Sequence, residues 1–187
     1  VRYTDDELIE GCLRGDRKLQ KALYEKYASR MLGVCLRYAE HREEAEDMLQ
    51  EGFIKVFHSI STYEKRGSFE GWIRRVMVFT SINIYKSRLR NYKEEQMTEY
   101  FDEPVNENII DRLSAKEIVA LIQQLPEGYR IIFNLFAVEG YTHKEIAEEL
   151  GIAIGTSKSQ FARARGYLQQ LIFKQNKELY EQLARSG

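Results

Sequence analysis

Apolar residues recur along this chain at helical spacing, and no convincing strand alternation interrupts them. Thr4 followed by Glu7 reads as a capping-box start for a short helix running to about Arg14, where Gly15 stops it. Asp16 can cap a second helix that carries Leu19, Leu23, Tyr27, Met31 and Val34 on one stripe. A third helix is predicted from about Glu43 to Ile60, with Met48, Leu49, Phe53, Val56 and Phe57 along it. Ser61 to Ser68 reads as a polar, basic loop. A fourth helix starts near Phe69 and reaches about Arg90, with Trp72, Val76, Phe79 and Ile82 or Asn83 as its stripe. Four such helices can bury a common core, which makes 1–92 one domain.

The pattern then breaks. Residues 93–111 lack a period, are rich in acids and contain Pro104, so they read as an acidic flexible linker. Beyond it, Ile118, Leu121, Ile122 and Leu125 give an i, i+3, i+4, i+7 stripe. Pro126 separates that helix from the next, whose apolar set is Ile131, Ile132, Leu135 and Phe136. In the stretch that follows, Ile146, Ala147 and Leu150 share a face, Gly151 can take the left-handed conformation that ends a helix, and Ile152 plugs the turn. Thr156 or a neighbour can cap the next helix, whose buried face continues through Phe161, Ala164 and Leu168. This is a helix-turn-helix, and it makes 112–187 a second small helical domain. The fold class is therefore all-α, two small helical domains joined by an acidic flexible linker.

The outward positions of the last helix, Lys158, Ser159, Gln160 and Arg163, are hydrogen-bonding types suited to base edges and phosphates. The net charge of −1 looks wrong for a DNA binder until the charges are mapped. From Lys65 to Lys93 the bases are Lys65, Arg66, Arg74, Arg75, Lys86, Arg88, Arg90 and Lys93, against Glu70 alone. From Ile152 to Lys177 they are Lys158, Arg163, Arg165, Lys174 and Lys177, with no acid. The compensating acids cluster around Glu40–Glu51 and in the linker. Two basic stretches separated by an acidic one suggest two contacts with a polyanion, and the near-neutral total predicts weak binding to naked DNA.

Other classes find little support. No apolar run approaches the roughly 20 residues of a membrane helix, and no leader opens the chain, so a cytoplasmic location with no membrane insertion is expected. His41, His58 and His143 make no metal-ligand spacing, and the chain has neither a phosphate loop nor a nucleophile elbow. No enzyme activity, cofactor or metal is expected. Cys12 and Cys35 fall among apolar residues and read as buried free thiols, with a redox pair as the remote alternative.

Three blocks then carry a resemblance. They are Glu46-Asp47-Met48-Leu49-Gln50-Glu51-Gly52-Phe53-Ile54-Lys55-Val56-Phe57, Phe69-Glu70-Gly71-Trp72-Ile73-Arg74-Arg75-Val76, and Leu125-Pro126-Glu127-Gly128-Tyr129-Arg130 with the helix-turn-helix. In this order and across an acidic linker, the chain resembles the extracytoplasmic-function sigma factors, the small two-domain class of bacterial RNA polymerase sigma subunits. The resemblance implies that the first block grips core RNA polymerase, through Asp47, Gln50 and Glu51 as partners for its cations. Phe53 reads as core instead.

The second block implies recognition and melting of the minus-10 promoter element. Arg74, Arg75, Lys86, Arg88 and Arg90 would form the nucleic-acid face, with Asn83 as a possible base reader. The loop residues Tyr63, Lys65, Arg66 and Ser68 offer stacking, charge and hydrogen bonding to an unpaired base. Trp72 reads as a core anchor beneath that face, with a stacking platform as the alternative. The third block implies minus-35 binding through Thr156, Lys158, Ser159, Gln160, Arg163 and Arg165, the last of which could instead merely suit a helix dipole.

The resemblance also implies an anti-sigma partner. Two departures stand out in the upstream reader. Ser157 occupies an expected buried apolar position and should loosen its helix slightly. Gln160 replaces a cation and should favour adenine over guanine edges. In the minus-10 helix, Phe79 and Asn83 stand where many members have Asn and Asp. A free-standing helix-turn-helix regulator and a sequestering interaction module are the alternatives from other classes.

Overall fold

The computed structural model describes the backbone of residues 3–91 and 114–185, and side chains through 89 and from 114 to 175. The acidic stretch 93–111 and the side chain of Arg90 lie outside the described residues. Every regular element among the described residues is helical. The chain divides into two compact units, Val1–Arg88 and Leu89–Gly187.

The first unit contains α1 (Asp5–Leu13), α2 (Arg17–Tyr38), α3 (Arg42–Ser59), a 3₁₀ turn (Ile60–Thr62) and α4 (Phe69–Asn91). The Thr4–Glu7 capping box forms, and Gly15 ends the α1 connection with φ of 74°. Asp16 then caps α2 by accepting from the amides of Lys18 and Leu19. The tight reversal brings the two helices into close contact. A Cβ at Gly11 would lie 2.0 Å from Leu19 Cδ1 and 2.7 Å from its Cβ, the stiff end of that side chain. Gly11→Ala is expected to cost about 1–3 kcal/mol through overpacking, read as a lower denaturation midpoint of the first unit; wild-type stability would show that α1 can slide at no cost.

The α2 stripe packs as expected, with Leu23, Tyr27, Met31 and Val34 buried, and α3 contributes Met48, Leu49, Phe53 and Val56. Gly52 is the second place where a side chain does not fit, since its Cβ would lie 2.2 Å from the Met77 sulfur of α4.

The buried face of α4 differs from the predicted stripe. Phe69, Ile73, Met77, Val78, Ile82 and Tyr85 enter the core with Thr80 and Ser81, whereas Trp72, Val76 and Phe79 are half-buried and Asn83 is exposed. Thr80 and Ser81 can be buried because their hydroxyls donate one turn back, to the carbonyls of Val76 at 2.8 Å and Met77 at 3.1 Å. Both cysteines are buried and free. Burial pushes the Cys12 thiol up to about 11 and the Cys35 thiol to about 12, so neither is a thiolate near neutrality.

The second unit contains α5 (Ala115–Gln123), α6 (Glu127–Phe133) with a π turn (Asn134–Val138), α7 (His143–Leu150) and α8 (Ile154–Arg185). Capping boxes at Ser114–Glu117 and Thr142–Glu145 start α5 and α7. Leu125 and Tyr129 bury against Ala164 of α8, flanked by Phe133, Tyr167 and Leu168. Arg130 is 2% exposed, and its Nη1 donates to the carbonyls of Gln123 at 2.8 Å and Leu125 at 3.2 Å. It thereby satisfies the last carbonyl of α5 and one in the turn that leads to α6.

Candidate nucleic-acid interfaces

Between the C-terminal half of α3 and the start of α4 lies a cleft of about 490 Å³. Trp72, Val76 and Phe79 supply its apolar surface, while Lys55, His58, Arg75, Asn83, Ser59, Thr62 and Thr80 supply its polar lining. The i, i+4, i+7 spacing of Trp72, Val76 and Phe79 puts them on one side of α4, beside the core face, with Thr80 at the boundary. The cleft therefore joins flat apolar surface to cations and hydrogen-bonding side chains, the chemistry that accepts an unstacked base. Arg75 is exposed, and no ion pair holds it among the described residues.

The predicted loop residues are largely committed to building the loop itself. Tyr63 is half-buried; its ring packs 5.1 Å from Phe69 and 5.7 Å from Trp72, and its hydroxyl donates to the Gly67 carbonyl at 2.9 Å. Lys65 adopts φ of 59°, rare for a residue with a Cβ, and pairs with Asp6 at 2.5 Å. Arg66 pairs with Glu64 at 3.1 Å, and Ser68 Oγ accepts from the Gly71 amide at 3.1 Å, capping α4. Trp72 stacks parallel to Phe69 at 5.8 Å, so it is both an anchor and a wall of the cleft.

Further along α4, Arg74, Lys86 and Arg88 are half-buried and Asn83 is exposed. Arg88 is paired with the buried carboxylate of Glu44, which also accepts from the Glu40 amide at 2.6 Å. Its charge is thus already partly neutralised. Sequence reasoning missed Phe79, Val76, Lys55 and His58 as lining residues. The available signal was that α4 has more apolar positions than one helix face can bury.

On α3, Asp47, Gln50 and Glu51 are all exposed and Glu51 pairs with Lys55 at 2.7 Å. Ile54 lies with them, 55% exposed, four residues after Gln50 and seven after Asp47. Ile54 adds apolar area to this exposed acidic face, and sequence reasoning assigned it no individual role.

In the second unit, Gly151 takes φ of 68° and ends α7, and the Ile152 amide bonds to the Ala147 carbonyl at 3.0 Å. Ile146, Ala147 and Leu150 are buried as expected. The last helix begins at Ile154, and the Ser157 amide reaches back to Ala153 at 3.1 Å. Thr156 therefore sits inside the first turn rather than capping it. Phe161 and Leu168 are only half-buried. Lys158, Ser159, Arg163 and Arg165 are exposed and Gln160 half-buried; no ion pair holds these three cations among the described residues.

Ser157 departs from expectation. It is fully buried, and its Oγ lies 3.0 Å from His143 Nδ1, so the polar position is pinned rather than loosened.

Residues 23–91 match the family model for Sigma-70 region 2, and residues 115–168 match that for Sigma-70, region 4. The RNA polymerase sigma-H factor of Pseudomonas aeruginosa is 29% identical over 178 residues, covering 88% of this chain and 92% of the relative. The ECF RNA polymerase sigma-E factor of Haemophilus influenzae is 29% identical over 184 residues, covering 91% and 96%. Among solved structures, the sigma factor RpoE of Bartonella quintana, crystallised with the anti-sigma factor NepR, aligns at 18% identity and a TM-score of 0.47, covering 82% of this chain and 96% of that one.

Proposed function

Since the chain belongs to the extracytoplasmic-function group of the sigma-70 RNA polymerase sigma factors, we propose a division of labour among its faces. The protein is a promoter-specificity subunit that binds core RNA polymerase and directs transcription initiation. The exposed face of α3, with Asp47, Gln50, Glu51 and Ile54, docks on the polymerase, acids meeting its cations and Ile54 supplying buried apolar area. The cleft between α3 and α4 receives an unpaired base of the minus-10 strand. Arg75 and Asn83, with Lys86 and the bases at 88 and 90, follow the adjoining backbone. Tyr63, Lys65, Arg66 and Ser68 hold the loop at the cleft's edge. In the second unit, Lys158, Ser159, Gln160, Arg163 and Arg165 face the minus-35 major groove, with Thr156 in the turn beneath them.

The observation that supports this reading most is the cleft, because flat apolar walls beside the side chains of His58, Arg75 and Asn83 suit a base taken out of the stack and suit duplex DNA poorly. The protein performs no chemistry of its own; capture of transiently opened bases drives melting. It works in the cytoplasm with the polymerase, and an anti-sigma protein is the natural antagonist of faces so exposed.

The test is reconstitution. Purified protein added to core polymerase is expected to start transcripts at discrete sites of a genomic template pool, and no initiation above core alone would refute the reading. Within that system, Asp47→Ala with Glu51→Ala is expected to weaken polymerase binding by roughly tenfold or more, each charged contact contributing about 1 kcal/mol. Lys158→Ala with Gln160→Ala is expected to spare polymerase binding and lower upstream-element binding instead. If both pairs impaired the same step, the two faces would be misassigned.

A further inference from the structure

The start of the helix-turn-helix and its reading helix are joined by a polar contact in an otherwise aromatic setting. His143 is the first residue of α7, and Ser157 lies in the first turn of α8. The His143 ring stacks on Phe136 of the π turn at 4.3 Å and 14°, and meets Phe161 of α8 edge-on at 5.8 Å. Phe136 and Phe161 touch each other at 4.5 Å. With both ring directions fixed by aromatic contacts, Nδ1 can reach only what lies in the imidazole plane, and there it finds Ser157 Oγ at 3.0 Å. Ser157 is wholly buried, so water cannot replace this partner. Its neighbours Thr156, Lys158, Ser159 and Gln160 are the residues presented to DNA by the same turn.

We propose that His143 is a positioning residue for promoter reading: with Nδ1 unprotonated it accepts from the Ser157 hydroxyl and locks the first turn of α8, and protonation reverses that hydrogen bond and places a charge in the aromatic site, loosening the lock. The proposal rests on the assignment of α8 as the upstream reader.

The chemistry is a matter of one hydrogen atom. With Nδ1 unprotonated, the Ser157 hydroxyl donates to it. A proton on Nδ1 turns the ring into a donor at that atom. The hydroxyl must then accept, and its own hydrogen must turn to the Ala153 carbonyl, which already takes the Ser157 amide at 3.1 Å. The charge also arrives in a half-buried aromatic site beside Lys158.

Burial first, and the Lys158 charge second, hold the imidazole below its ordinary range. On α7 itself, Lys144 and Glu145 are exposed, and Glu145 is engaged in the capping box with Thr142. Glu139 follows the π turn. Because the folded pKa is depressed, the lock's contribution is complete above the unfolded value of about 6.5 and is lost as pH falls through the lower folded value. The sign is the useful part. Simple phosphate attraction makes histidine proteins bind DNA more tightly on acidification, whereas this lock makes upstream binding weaker.

Two measurements on the full chain test it. Imidazole NMR resolves three histidines, His41, His58 and His143. His143 is expected to titrate below the ordinary imidazole range, and its midpoint is expected to rise in Ser157→Ala. An unchanged midpoint in that variant would overturn the lock whether or not the chain works with polymerase.

The second measurement uses holoenzyme and a fluorescent duplex carrying the upstream half of a promoter recovered by transcript mapping. Affinity is expected to fall roughly threefold to tenfold as pH is lowered from about 7.5 to below the His143 midpoint found by NMR, the scale of one hydrogen bond. Ser157→Ala is expected to start lower by a similar factor. His143→Asn, whose amide can accept from Ser157 but does not titrate, is expected to keep most of the affinity and lose the pH dependence. Melting curves of each variant separate reading from folding. Wild-type affinity that is flat or rises on acidification, or a His143→Asn profile identical to wild type, would overturn the proposal.

Discussion

Replacing Phe79 with alanine is expected to slow promoter opening by roughly tenfold to a hundredfold while leaving affinity for core polymerase unchanged. Stacking of a base on a protein aromatic contributes about 1–3 kcal/mol, and each 1.4 kcal/mol is about a factor of ten. Phe79 is a wall of the α3–α4 cleft that no other aromatic ring covers among the described residues, whereas Trp72 is stacked on Phe69. Its removal therefore subtracts a contact with the base more than a contact with the core. Permanganate reactivity of the melted strand reports opening, and competition with a labelled sigma factor reports polymerase affinity. Phe79→Tyr should restore most of the rate, since the ring face is kept. An alanine variant that opens promoters at the wild-type rate would place the captured base elsewhere. Arg75→Ala should show a smaller defect that shrinks as salt rises, because an exposed cation acts on the phosphates through a screened field.

Arg130→Met is expected to destabilise the second unit by about 2–4 kcal/mol, the range for removing a charged group whose buried partners are left unpaired. The methionine can fill much of the volume but donates nothing to the carbonyls of Gln123 and Leu125. The chain's single tryptophan, Trp72, lies in the first unit. In a denaturant titration of the variant, helicity should therefore be lost ahead of tryptophan fluorescence, with the fluorescence transition unmoved. Coincident transitions at the wild-type midpoint would mean that water reaches the end of α5 and takes over those bonds.

The helices and their ends were legible wherever the signal was local. Asp16, Gly151 and the Thr4–Glu7 box act through neighbours a few residues away, and each does in the structure what its sequence context implies. The face of α4 was not legible. Ten or so apolar positions in one helix fit two stripes, and choosing between them depends on Thr80 and Ser81. Their hydroxyls are satisfied by their own helix, so a polar-looking face goes inside and Trp72, Val76 and Phe79 remain at the cleft. The fate of Ser157 was hidden for a related reason. A buried serine is costly alone and acceptable with a partner, and its partner stands fourteen residues earlier across a turn. Loop cations such as Lys65 and Arg66 looked free because Asp6 is distant in sequence and the Glu64 side chain's direction is not encoded in a count of charges.

The pairing of Glu44 with Arg88 has a mechanical consequence. One oxygen of the Glu44 carboxylate holds the Glu40 amide at the entrance to α3, while the other holds Arg88 three residues before α4 ends. The carboxylate thus works as a strain relief, like the clamp where a cable enters a housing. Tension applied to the chain beyond Asn91 falls first on this clamp and is delivered to the root of α3, the helix that carries Asp47 and Ile54. The lower stretch of α4 beside Trp72 and Phe79 is spared. A pull on the chain past Asn91 would therefore be felt at α3 before it disturbed the shape of the cleft.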